Sequence, residues 1–228
     1  MHELTSILRQ FAVIIRKDLT MEFRTRDILY PMALFSLLLV VVFSFAFLSD
    51  PTRVRDYGPG IIWVTVLFAS TVGQNRLFDR ERENGCLWAM LLTPASRGAI
   101  FAAKAAGHFM FTLFMEVLTV PLIILFFDLP VPHPATLVAS LVLGTMGLSL
   151  IGTLFSAMLM NARMKEVLLP LVTFPILMPV IIAGVKVTAL AVGAQVAEDA
   201  SMWLKFLLGF DMIFGVVTLL LFDRMIRS

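Results

Sequence analysis

The sequence predicts an all-α, polytopic membrane protein: six transmembrane helices, an N-terminal amphipathic interfacial helix, and a charged cytoplasmic element between spans two and three. Three observations carry this. The chain has 228 residues, of which 59% are hydrophobic and only 15% charged, with 20 Phe, whereas soluble domains average about 25% charged residues. Residues 30–48 and 57–75 contain no Asp, Glu, Lys or Arg, and roughly 20 mostly apolar residues cross a bilayer as a helix. The apolar runs are continuous rather than alternating, which selects helices, because backbone polar groups in lipid must be satisfied within the chain.

Residues 1–29 come first. Leu4, Ile7, Leu8, Phe11, Ile14, Ile15 and Leu19 recur at helical spacing, with Arg9, Arg16, Lys17 and Arg24 mainly opposite. This pattern fits a helix lying in the membrane interface, its basic side favouring anionic head groups. It serves either as a plain surface anchor or as an elbow docking on a cytoplasmic partner. No signal peptide is expected, since the first apolar run starts late and is too long for one.

Spans are expected at about 30–48, 58–75, 99–127, 135–160, 167–186 and 203–222, leaving 1–228 as one transmembrane domain. Orientation follows from the basic residues. One side holds thirteen: Arg9, Arg16, Lys17, Arg24, Arg26, Arg76, Arg80, Arg82, Arg97, Arg163, Lys165, Arg224 and Arg227. The other holds four: Arg53, Arg55, Lys186 and Lys205. Both termini and the 76–97 region are therefore expected in the cytoplasm. The net charge of +2 reflects this asymmetry and implies no nucleic acid. One cysteine, Cys86, supports neither an intrachain disulfide nor a metal cluster.

The stretch RLFDRERENGCLWAMLLTPASR, residues 76–97, is a knot of charge in an apolar chain. Leu77, Phe78, Leu87, Met90 and Leu91 can line one face of a short helix, which Gly85 interrupts or caps and Pro94 ends. Joining two spans takes only a few residues, so about 22 suggest a handle for a soluble partner, with charges that steer and fix register.

Few ionisable residues fall inside spans. Lys104, near the start of span three, is expected to snorkel. His108, Glu116 and Asp211 lie deeper. The two acids could pair with a base, relay protons or bond to neighbouring helices. Pro170, Pro175 and Pro179 make span five either a pathway-lining hinge or a packed, kinked helix. Gly144, Gly147, Ser149 and Gly152 permit close helix approach, either within the bundle or against a second copy. Residues 187–202 are too long for a turn and are expected to form short helices on the outer face. A P-loop, H-E-x-x-H and G-x-S-x-G are all absent, which argues against ATP hydrolysis by this chain and against an intramembrane enzyme.

RKDLTMEFRTRD before span one, DRERENGCLWAMLLTPASR after span two, and six spans in 228 residues together resemble permease subunits of type-2 ABC exporters, most closely the CcmB family of cytochrome c maturation. The resemblance implies an elbow helix using Arg16, Lys17, Asp18, Glu22 and Arg24. It also implies a coupling helix that seats in an ATPase subunit, using Arg80, Glu81, Arg82, Glu83, Gly85, Leu87, Leu91, Thr93 and Pro94. Expected partners are an ABC ATPase that supplies ATP hydrolysis, a second permease copy, the lipid bilayer of the bacterial inner membrane, and a haem-handling membrane subunit. No metal or resident cofactor is expected on this chain. His108 and exposed His133 are its candidate haem contacts. A type-2 exporter of a drug, lipid or glycan is the alternative.

Overall fold

The computed structural model describes residues 2–47, 54–79, 97–194 and 199–225. Seven long helices are described: α1 (His2–Thr25), α2 (Leu29–Phe47), α3 (Val54–Arg76), α4 (Arg97–Phe126), α5 (Pro134–Met158), α6 (Lys165–Ala191) and α7 (Ala200–Met225). Five of them, α2 and α4 to α7, are long and apolar enough to cross a membrane. Helix α3 has the length, since 23 residues rise about 35 Å, but it is less apolar. The reason is its position. It packs against α2, α4, α5 and α6, so Thr65, Ser70, Thr71 and Gln74 are buried against protein, not lipid.

Helix α5 is the most enclosed of the five apolar helices, and α2 and α7 are the least. The outer helices carry large exposed apolar residues, such as Leu34, Leu38 and Phe45 on α2 and Met212, Ile213 and Leu220 on α7. In water such a surface would be a liability. In a bilayer it meets acyl chains of matching polarity.

The main core surrounds Trp63, with Ile62, Val66, Ile123, Leu141, Leu148 and Leu177. Two glycines open the slot for its indole. A Cβ on Gly144 of α5 would lie 2.0 Å from the ring, and one on Gly184 of α6 would lie 2.4 Å from it. The indole Nε1–H donates to Thr188 Oγ1 at 2.9 Å, satisfying the one polar atom of a buried tryptophan. Gly147 faces Asp211 and Gly152 faces Gln74. The small residues of α5 thus serve packing inside this chain.

Three expectations need correction. Residues 187–202 form no separate short helices among those described. Helix α6 runs on to Ala191 because Val187, Thr188, Ala189 and Ala191 are buried in the bundle. Gly193 then turns the chain with φ 67°, a conformation glycine adopts without strain, while residues 195–198 are outside the description. Helix α7 starts at Ala200, where backbone and side-chain bonds from Ser201 hold the Asp199 carboxyl below the usual carboxylate range. Second, Leu77 and Phe78 do not line a helix of the charged loop. They follow α3 and are buried with Phe101, Leu154 and Phe222. Third, Lys104 does not snorkel; it is 3% exposed. Pro170, Pro175 and Pro179 leave α6 a single helix.

Candidate functional site

Helix α1 packs along α4. Its half-buried apolar residues are Phe11, Ile14, Ile15 and Leu19, while Ile7 and Leu8 stay exposed. Arg9, Arg16, Lys17 and Arg24 are exposed, as expected for a basic outer face. Asp18 and Glu22, one turn apart, point the other way, into the bundle. Asp18 Oδ2 pairs with Lys104 Nζ of α4 at 3.0 Å. Glu22 is 1% exposed, and its Oε1 accepts the backbone N–H groups of Ile28 at 2.7 Å and Leu29 at 2.8 Å. Those are orphan donors at the start of α2, so a carboxylate there satisfies them and suits the helix dipole. Between the helices Arg26 takes φ 59°, and its guanidinium lies over the Tyr30 ring at 5.3 Å. The five elbow residues are thus two groups: Asp18 and Glu22 lock α1 onto α4 and α2, and Arg16, Lys17 and Arg24 face out.

A second polar cluster surrounds the end of α3. The Gln74 carbonyl accepts from Ser156 Oγ of α5 at 2.6 Å. The Asn75 carbonyl accepts from Lys165 Nζ, which also pairs with Asp79 Oδ1 at 2.9 Å. The Leu77 carbonyl accepts from Lys104 Nζ at 3.4 Å. The nine residues expected to meet an ATPase (Arg80, Glu81, Arg82, Glu83, Gly85, Leu87, Leu91, Thr93 and Pro94) lie outside the described residues.

The intramembrane polar residues do not form one site. His108 is fully buried, with Nδ1 3.2 Å from Ser149 Oγ and Nε2 3.2 Å from the Ser70 carbonyl oxygen. A carbonyl only accepts, so Nε2 carries a proton and donates it to the Ser70 oxygen, while Nδ1 shares a hydrogen bond with the Ser149 hydroxyl. Both nitrogens are thus engaged within the bundle. Gln74 extends the cluster by donating to Ser70 Oγ at 3.2 Å. Glu116 Oε1 accepts from Thr145 of α5, while its Oε2 is buried without a hydrogen-bond partner. Both Asp211 carboxylate oxygens are buried without one, against Gly147. The Glu116–Thr145 contact is the interhelical bond weighed from the sequence, and neither acid meets a base among the described residues. His133 is exposed and precedes α5.

Sequence reasoning missed Lys104 and Lys165 as structural cations, Asn75 as the acceptor for Lys165, and Ser156 as the donor to the Gln74 carbonyl. A signal existed for Lys104: the run FAAKAAGH surrounds it with small residues, which let other helices approach and bury it.

A bundle of long apolar helices with polar side chains turned inward defines a multi-pass membrane protein. The chain belongs to the CcmB family: the family model described as "CcmB protein" matches residues 9–226. Similar relatives include "Heme exporter protein B" of Haemophilus influenzae, 32% identical over 173 residues, covering 75% of this chain and 78% of the relative. The protein of the same name from Rhodobacter capsulatus is 30% identical over 152 residues, covering 67% and 70%. That of Pseudomonas aeruginosa is 28% identical over 174 residues, covering 76% and 78%.

Proposed function

We propose that this chain is the permease subunit of an ABC exporter complex serving cytochrome c maturation in the bacterial inner membrane. The family match across residues 9–226, with relatives called heme exporter protein B, carries the reading. The chain is non-catalytic. ATP is hydrolysed by a separate ATPase subunit that binds residues 76–97, and the motion drives haem export or release of a haem-loaded chaperone. Helix α3 counts as a sixth span beside the five apolar ones, both termini face the cytoplasm, and two copies pair in the complex. Haem is cargo handled by a partner membrane subunit, in keeping with the engaged nitrogens of His108.

The mechanism is mechanical. Closure of the ATPase pair pushes residues 76–97, and the bundle responds by shifts of packed helices. The test is a mild-detergent pull-down of this chain from its native membrane, with mass spectrometry of what accompanies it. An ABC ATPase together with a tryptophan-rich membrane protein supports the reading. An ATPase alone assigns the chain to an exporter of another cargo. Absence of any ATPase refutes it. Reversing Glu81 and Glu83 should then detach or uncouple the ATPase while the chain still inserts.

A further inference from the structure

We propose that Lys104 and Lys165 are positioning residues that grip the end of α3 and carry its displacement into α1, α4 and α6. The proposal rests on the reading of residues 76–97 as the ATPase-binding segment and names the joint behind it.

The last carbonyls of a helix have no partner within it. Two of these at the end of α3 and one just past it are taken by three different helices: Gln74 by α5 through Ser156, Asn75 by α6 through Lys165, and Leu77, in the turn that follows, by α4 through Lys104. Two of the three donors are ammonium groups, which suits the negative end of the α3 dipole. Both lysines are buried, at 3% and 6% exposure. A lysine near a membrane surface ordinarily reaches for water, and burying its charge costs several kcal/mol unless it is paired. Here each has a carboxylate, Asp18 at 3.0 Å and Asp79 at 2.9 Å. Lys104 also stands 5.5 Å from the Phe78 ring centroid.

Packing closes the joint. Leu77 and Phe78 are buried among Phe101, Leu154 and Phe222, from α4, α5 and α7. Residues 74–79 therefore cannot shift alone. A pull on them reaches α4 and, through Asp18, α1; it reaches α6 through Lys165. Apolar packing alone would resist compression yet let the segment slide. Directional charged bonds to carbonyls fix its register.

The experiment uses the intact complex, co-expressed with its ATPase, carrying Lys165→Met, Lys165→Arg, Asp79→Asn or Lys104→Met. Three quantities are read: ATPase retained per chain, ATP hydrolysis, and cytochrome c output. The expected result is uncoupling. Lys165→Met and Lys104→Met retain the ATPase and its hydrolysis, and output falls at least tenfold. Asp79→Asn, which keeps the bond to the Asn75 carbonyl, falls less. Lys165→Arg, which keeps both charge and donors, restores at least half of output. The proposal is overturned if the methionine variants keep normal output, or if they lose ATPase in proportion to output. Should they fail to insert, Asp79→Asn and Lys165→Arg decide: equal loss of output in both, with the ATPase retained, overturns it. If the unaltered chain retains no ATPase, the reading of 76–97 falls first, and the joint with it.

Discussion

Replacing Gly144 with alanine would set a methyl carbon 2.0 Å from Cη2 and 2.6 Å from Cζ3 of Trp63. Carbon atoms rest at about 3.5–4.0 Å, so the indole must withdraw by about 1.5 Å. It has little room, because the backbone of Gly184 closes the slot from α6. Withdrawal also stretches the 2.9 Å bond from Nε1 to Thr188. Overpacking of this kind costs about 1–3 kcal/mol, and a weakened buried hydrogen bond adds about 1 kcal/mol. Alanine returns about 1 kcal/mol of helix propensity over glycine. The net loss is about 1–3 kcal/mol, or a fall in melting temperature of roughly 3–10 °C for a chain of this size. The assay is thermal denaturation in detergent, followed by the monodisperse fraction that survives heating. Gly107→Ala is the control, since a Cβ there meets nothing within 4 Å, and it should melt at or slightly above the unaltered chain. Trp63→Phe placed in the Gly144→Ala background should recover part of the loss. If Gly144→Ala melts with Gly107→Ala, the slot does not constrain the bundle and the packing argument is wrong.

Two further outcomes are expected. Glu22→Ala strips the Ile28 and Leu29 N–H groups of their acceptor, costing about 1–3 kcal/mol. Hydrogen exchange at 26–30 should speed up, while Glu22→Gln, which keeps the acceptor oxygen, should change it less; exchange in Glu22→Ala equal to that of the unaltered chain would show that the contact is not needed. His108→Ala removes bonds to Ser70 and Ser149, so it should lower the melting temperature yet leave the absorbance of haem added to the purified chain unchanged. A His108-dependent Soret shift would show that the ring reaches a ligand.

The helices were legible in the sequence because their causes are local. Continuous apolar runs between polar stretches located helices α2 to α7 within a few residues, five of them long and apolar enough to cross a membrane, and the 3.6-residue period of Leu4 to Leu19 located α1. What each side chain does across the bundle was not legible. Lys104 and Asp18 lie 86 positions apart, as do Lys165 and Asp79. A lysine at a span end reads as a snorkelling cation until another helix arrives to bury it. Asp18 and Glu22 look like part of a charged outer face, yet tertiary packing turns them inward. Gly144 and Gly147 signal close approach, but only the fold says that Trp63 and Asp211 fill the space. Hydropathy and period act along the chain, so the sequence by itself determined the membrane class, the helices and their family. Which groups meet depends on how helices distant in sequence pack, so only the tertiary structure decided that two buried lysines and a serine would hold the end of α3.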